Sequence, residues 1–114
     1  MNSLNNIDTI QVIKEALIKA CIKSRPSYFK PFLYSDSVTT EYDYKESFYK
    51  SFKYMLSRSR KMSEGELHLK IKLPDPENKN VQHYKFYDIV HLHSRLTIIV
   101  EECNDSIHLD ILPF

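Results

Sequence analysis

Glycine is almost missing from this chain of 114 residues, since Gly65 is the only one. Walker and dinucleotide-binding loops need several glycines, so that backbone N–H groups can approach a phosphate. Neither loop is present, which excludes enzymes that hold a nucleotide in this way. No Ser-His-Asp or Cys-His signature stands out either, and we do not expect an enzyme.

Cysteines and long apolar segments are also scarce. Cys21 and Cys103 are too few for a disulfide framework, so we expect reduced thiols, although one bridge between them stays open. No apolar run approaches the roughly 20 residues of a membrane span. Asp8, Lys14 and Glu15 interrupt the apolar N-terminal segment, which argues against a signal peptide. We expect a cytoplasmic protein without a membrane partner.

Neither sign of charge dominates, because sixteen basic and fifteen acidic residues leave a net charge of +1. Net charge therefore predicts no general attraction to nucleic acid. The charges are unevenly distributed: residues 41–62 hold six basic and three acidic residues, whereas residues 63–114 hold five and nine. With 42% apolar and 27% charged residues, the chain fits a single folded domain, residues 1–114.

A long helix is predicted over residues 42–61, YDYKESFYKSFKYMLSRSRK. Its apolar stripe, with a period of about 3.6 residues, contains Tyr44, Phe48, Phe52, Met55 and Met62. The opposite face is basic and carries Lys45, Lys50, Lys53, Tyr54, Arg58, Arg60 and Lys61. We expect Thr39 or Thr40 to cap the start of this helix and Gly65 to cap its end.

The other elements follow from apolar periodicity. A first helix is predicted over residues 3–23, after which Pro26 and Pro31 are expected to prevent helix, and residues 32–40 have no clear type. A period of two then predicts strands near residues 67–73, 81–90, 95–102 and 107–111. In the first strand, the residues expected to share the buried face are Leu67, Leu69, Ile71 and Leu73. The prediction is an α+β fold, with two N-terminal helices packed on one face of an antiparallel sheet of about four strands, a β-meander.

The C-terminal half predicts an acidic surface. Its candidate partner-binding residues are Asp88, Glu101, Glu102, Asp105, Asp110 and Tyr87. Carboxylates beside tyrosine suit the rapid capture of a basic protein. The leading hypothesis is a non-enzymatic protein-binding protein. Its most concrete form is a bacterial immunity or inhibitor protein that neutralises a basic toxin, such as a nuclease, by occluding the toxin's active site.

Two alternative functions stay open. The first is a nucleic-acid-binding regulator that uses the basic helix, with Lys50, Lys53, Tyr54, Arg58 and Lys61 in contact with the phosphate backbone. The second is a small metal-independent nuclease or hydrolase that uses His83, His91, Lys85 and Tyr87. A homodimer formed through the basic helix is compatible with all three hypotheses.

The spacing of the histidines raises the question of a metal. On a strand, His91 and His93 would point to the same face, and His83, Cys103 and His108 are further residues of ligand type. Histidines on a solvated face explain this spacing equally well, and no known zinc-module spacing is present. We therefore predict neither a metal nor a cofactor, while metal binding by His91 and His93 stays an open question.

Overall fold

Helices fill the first half of the chain and strands most of the second. The computed structural model describes residues 2–63 and 67–114. The helices are α1 (Asn2–Lys23), α2 (Lys30–Leu33) and α3 (Lys45–Ser63), with a 3-10 turn at Pro26–Tyr28. The strands are β1 (Val38–Thr40), β2 (His68–Pro74), β3 (Val81–Asp88), β4 (His93–Glu102) and β5 (Ile107–Leu112). The predicted α+β class is confirmed.

The strands form a mixed sheet in the order β1-β5-β4-β3-β2. Strands β2 to β5 are successive antiparallel neighbours, as in a β-meander. Strand β1 lies at the edge of the sheet and pairs in parallel with β5, with Val38 opposite Ile107. The prediction of a purely antiparallel sheet is therefore wrong, because a strand of three residues is too short to show the alternation that identifies strands.

A bulge in β2 changes which of its side chains face the core. The register with β3 shifts between Leu69 and Ile71, so the alternation of sides is interrupted there. Leu73, opposite His83, is consequently exposed. The prediction that this strand buries Leu73 together with Leu69 is wrong for that reason.

Helix α1 buries its predicted stripe and ends in a left-handed residue. The buried positions include Ile10, Ile13, Leu17, Ala20 and Cys21. Ser24 follows with a φ of 52°, and the amide of Arg25 donates a hydrogen bond of 2.9 Å to the carbonyl of Ala20. A serine thus takes the position that glycine commonly has after a helix. Among the described residues, no helix is both long and apolar enough to span a membrane.

The segment after α1 is more helical than predicted. Pro31 lies in the first turn of α2, where a proline loses no hydrogen bond because the first helical N–H groups have no partner within the helix. Leu33 of the same turn is buried in the core. The prediction that Pro31 keeps this segment non-helical is therefore wrong.

Helix α3 begins at Lys45 rather than at residue 42. Thr40 belongs to β1, and its hydroxyl accepts a hydrogen bond of 3.1 Å from the amide of Tyr42 instead of capping the helix. Tyr44 precedes the helix and is exposed. The prediction that Tyr44 belongs to the buried stripe is therefore wrong. The predicted cap at Gly65 lies outside the described residues.

The buried stripe of α3 continues through serines rather than through Met62. Its buried residues are Phe48, Phe52, Leu56, Ser59 and Ser63, whereas Met62 is exposed. The hydroxyl of Ser59 donates a hydrogen bond of 3.1 Å to the carbonyl of Arg95 in β4. Two small side chains therefore let the end of the helix approach the sheet closely.

The helices pack on one face of the sheet, and that face carries the core. Its buried strand residues are Tyr84, Phe86, Leu96, Ile98, Val100, Ile107, Leu109 and Ile111, which form one cluster with the buried residues of α1 and α3. Alternate side chains of a strand point to the opposite face. We call that opposite side the open face, because no described helix lies over it and its described side chains, apart from the buried Thr97, are half-buried or exposed.

Candidate protein-binding surfaces

The open face is defined by the strand register. His83 lies opposite Ile99, which lies opposite Asp110, and the residues two positions away along each strand share this side of the sheet. The described members of the open face are Thr39, His68, Leu73, Val81, His83, Lys85, Tyr87, Thr97, Ile99, Glu101, His108, Asp110 and Leu112. They form a broad surface in which polar side chains surround a few aliphatic ones.

Three of the six predicted partner-binding residues lie on the open face. They are Tyr87, Glu101 and Asp110, and each is half-buried. Glu101 lies opposite His108, and Asp110 lies opposite Ile99, so the two carboxylates are on adjacent strands. An oxygen of Asp110 also accepts a hydrogen bond of 2.8 Å from the amide of Ile111. The structure therefore brings part of the predicted acidic surface together.

Glu102 and Asp105 do not lie on the open face. The residue after Glu101 must point to the other side of the strand, and the carboxylate of Glu102 there meets the ammonium of Lys14 in α1 at 2.9 Å. Asp105 lies in the exposed turn between β4 and β5, which the amide of Cys103 closes on the carbonyl of Ser106 at 2.9 Å. The predicted acidic surface is thus divided among two faces and a turn.

Asp88 is buried and has no free carboxylate to offer a partner, with only 1% of its surface exposed. It accepts hydrogen bonds from the amides of Val90 and His91 at 2.9 and 3.1 Å, from His91 Nδ1 at 2.6 Å, and from the Arg95 guanidinium at 3.2 Å. Burial alone raises the pKa of this carboxyl, but the bonds from His91 and Arg95 outweigh burial and lower the pKa to about 2. The structure therefore places Asp88 inside a turn that it organises, apart from the other predicted partner-binding residues.

Two further carboxylates border the open face, and the sequence analysis missed both. Asp75 lies 3.3 Å from Nε2 of His83. Glu41, just after β1, lies 2.5 Å from Nε2 of His108, whose Nδ1 is 2.7 Å from the hydroxyl of Thr39. The partners in each pair come from different strands or loops, so no local pattern in the sequence could reveal them.

Among the described side chains of the open face, carboxylates outnumber lysines and arginines. Its described carboxylates, with those at its border, are Glu41, Asp75, Glu101 and Asp110. Lys85 is the only lysine among its described side chains, and the Lys85 ammonium lies 3.5 Å from the hydroxyl of Thr97. A cationic surface would therefore meet more opposite than like charge here.

The basic residues of α3 form one exposed stripe. Lys50, Lys53, Tyr54, Arg58 and Lys61 recur every three or four positions, which places them on the side of the helix away from its buried residues. Tyr54, Arg58 and Lys61 also line a shallow groove of about 380 Å³. Phosphate groups could follow this stripe, so it stays a candidate nucleic-acid surface.

The residues of the predicted nuclease site do not all come together. His83, Lys85 and Tyr87 share the open face of β3, whereas His91 lies in the turn after β3 and is bound to Asp88. Among the residues that the structure describes, no three His, Cys, Asp or Glu side chains form a group suited to a metal. Cys21 and Cys103 are both free thiols, and burial raises the pKa of Cys21.

The turn between β3 and β4 exposes three aliphatic side chains that the sequence analysis missed. Strand β3 ends at Asp88 rather than near residue 90, so Ile89, Val90 and Leu92 form a turn instead of strand positions. We call these three residues the apolar tip. Asp88 was the signal in the sequence that a turn begins here, because Asp side chains often accept hydrogen bonds from the amides two and three residues later.

Comparisons with known proteins assign no family to this chain. It matches no protein family, and no curated protein or solved structure is significantly similar to it. The case for a function therefore depends on the open face, the basic stripe and the apolar tip.

Proposed function

We propose that this protein is a non-enzymatic protein-binding domain whose open face binds a basic partner protein. The observation that carries the proposal is the excess of carboxylates among the described side chains of a sheet face that no described helix covers. Core packing needs no such charges, because that face lies opposite the core. Charge of one sign on an accessible surface increases the rate at which an oppositely charged protein is captured.

The most concrete form of this proposal is an immunity or inhibitor protein that neutralises a basic toxin, such as a nuclease. Glu101 and Asp110 would pair with lysines and arginines of the toxin's substrate-binding cleft. Tyr87, on the same face, would add contact area with a polar end, as tyrosines commonly do at interfaces. Substrate would be excluded by occlusion, so the inhibitor itself needs no catalytic group.

A charge-reversal experiment tests this proposal. Tagged wild-type protein captures partners from a nuclease-treated bacterial lysate, and the recovered protein is purified for kinetic measurements. Because electrostatic attraction controls the encounter, Glu101→Lys combined with Asp110→Lys should slow association at least roughly tenfold at low salt. The matched control, Asp36→Lys combined with Glu46→Lys, makes the same change in net charge at exposed positions outside the open face. Equal association of both variants would contradict the proposed surface.

A second candidate function is nucleic-acid binding through the basic stripe of α3. It is favoured by the alignment of Lys50, Lys53, Arg58 and Lys61 beside the exposed Tyr54. Fluorescence anisotropy with a labelled single-stranded oligonucleotide tests it. If it is correct, affinity should fall steeply with salt, and Lys50→Glu combined with Lys53→Glu should abolish most of the binding. Binding that persists in this variant would contradict it.

A further inference from the structure

The apolar tip is unusual in composition and exposure. Ile89, Val90 and Leu92 are 55%, 71% and 77% exposed. Hairpin turns are usually built from glycine, asparagine, aspartate, serine or proline, which suit both the backbone and the solvent. Aliphatic side chains in water gain nothing from hydrophobic burial within this domain. Their position at a protruding turn needs a reason beyond the packing of the described residues.

The conformation of the tip is fixed by a buried carboxylate and by a left-handed residue, both of which are energetically unfavourable unless other contacts compensate for them. Asp88, a buried carboxylate, binds two amides of the turn as well as the side chains of His91 and Arg95. Leu92 has a φ of 59°, in the left-handed region that is unfavourable for residues with a Cβ atom. A fixed turn loses little conformational freedom on binding, so its affinity for a matching pocket is greater.

More apolar surface lies beside the tip. The start of β4 and the end of α3 border a cleft of about 170 Å³, with Ser94 and Arg95 on one side and Met62 on the other. Phe114 also lines this cleft, and Met62 and Phe114 are both exposed. Arg95 links this cleft to the turn of the apolar tip, because its guanidinium also binds Asp88.

The charges around this region are positive. Arg58 lines the cleft, and Lys61 lies with Arg58 in the neighbouring groove on α3; Arg95 lines the cleft as well, but its charge is paired with Asp88. Residues 57–63 contain three basic residues and no acidic one. Asp88 is already bound to His91 and Arg95. A partner that covers the tip and the cleft would therefore be favoured by carboxylates around its apolar contact area.

We infer that the apolar tip is a binding element that inserts into an apolar pocket of a partner protein whose rim is acidic. A protein fits better than a bilayer, because a fluid bilayer gains little from a turn of fixed shape, and the tip lacks the tyrosine and tryptophan that favour membrane interfaces. A second copy of this chain fits less well, because the described groove lined by Val12 and Tyr28 pairs one acidic residue, Glu15, with one basic residue, Lys19, and so has no acidic rim.

This inference goes beyond the proposed function and does not depend on it. The tip lies between the end of β3 and the start of β4, whereas Glu101 and Asp110 of the open face lie within β4 and β5. Loss of binding at the tip would leave the open face intact, and reversal of Glu101 and Asp110 would leave the tip intact. The two proposals can therefore fail separately.

Peptide selection supplies a defined probe for the tip. A random dodecapeptide library displayed on phage is selected against the immobilised wild-type protein, and the enriched peptides are synthesised with a fluorophore. We expect enriched sequences with aliphatic or aromatic residues next to Asp or Glu. Affinity is then measured by fluorescence anisotropy for the wild type and for Val90→Ser combined with Leu92→Ser.

The double variant should bind the selected peptide at least roughly tenfold more weakly, because both substituted side chains would be buried in the contact. Tyr44→Ser is the control and should bind as the wild type does. Tyr44 is exposed, but it lies before the first turn of α3, whereas the other end of this helix, at Ser59, contacts the start of β4 near the tip. Circular dichroism verifies that each variant is folded. Val90→Ser alone replaces the double variant if the latter does not fold.

Other results would overturn the inference. Selection of no apolar–acidic peptide, or equal binding of such peptides to all variants, would show that the tip is not a protein-binding element. Two further assays use the wild type and the double variant. Tip-dependent binding to vesicles of phosphatidylcholine and phosphatidylglycerol would assign the tip to a bilayer. Tip-dependent self-association in analytical ultracentrifugation would assign it to a second copy of the chain.

Discussion

The two faces of the sheet differ in a way that adjacent residues of β4 illustrate. Ile98 is fully buried in the core beneath the helices, whereas Ile99, the next residue, lies half-buried on the open face between His83 and Asp110. An isoleucine side chain thus contributes mainly to stability on one face of the sheet and mainly to the accessible surface on the other. Composition alone cannot distinguish these roles, because they depend on which side the helices cover.

Truncation of these two isoleucines gives the largest contrast. Ile98→Ala should lower the free energy of unfolding by about 2–5 kcal/mol, because it removes buried methyl groups and leaves a cavity. Ile99→Ala should cost about 1 kcal/mol or less, since much of its surface stays in water. Urea unfolding of both variants measures the difference. Equal costs would mean that the open face is covered by something that packs as tightly as the helices.

Asp88 should show the next largest effect. Asp88→Ala removes the acceptor for two amides and leaves the Arg95 guanidinium without its carboxylate, so we expect Tm to fall by roughly 5 °C or more. Asp105→Ala, in the exposed turn between β4 and β5, is the matched control and should leave Tm nearly unchanged. Thermal unfolding followed by circular dichroism compares them. Similar Tm values for both variants would contradict the structural role of Asp88.

The contribution of Asp88 should also depend on pH. Its pKa falls from the ordinary value of 3.8 to about 2 in the folded protein, so the folded state favours the ionised carboxylate. Such a group stabilises the fold above its ordinary pKa, and this stabilisation is lost as the pH falls through the folded value. The difference in Tm between wild type and Asp88→Ala should therefore shrink as the pH falls from the ordinary pKa of 3.8 towards 2. A difference that grows on acidification would have the wrong sign.

Periodicity predicted the long elements of the fold but not the short ones. The stripes of α1 and α3 and the alternation in β5 extend over several turns or residue pairs, so the signal accumulates. Strand β1 has three residues and α2 has four, which is too few for either period to appear. The bulge in β2 was also hidden, because one extra residue changes the register without changing composition.

The site could be predicted only in part, because charge in a sequence does not reveal burial or direction. Glu101 and Glu102 are adjacent in sequence and lie on opposite sides of β4, and only Glu101 faces the open side. Asp88 has the same charge but is buried in a turn. Asp75 and Glu41 reach the open face from loops, next to histidines of other strands. Only the three-dimensional arrangement separates these carboxylates.

The smallest effect on stability should come from the charge reversal that has the largest expected effect on binding. Glu101→Lys combined with Asp110→Lys should change the free energy of unfolding by about 1 kcal/mol or less, because half-exposed charges on a sheet contribute little to folding. The variant also loses the single hydrogen bond that the amide of Ile111 donates to Asp110. Urea unfolding measures this, in parallel with the association experiment. A loss as large as that expected for Ile98→Ala would mean that these carboxylates stabilise the fold, and their excess on the open face would then no longer argue for a basic partner.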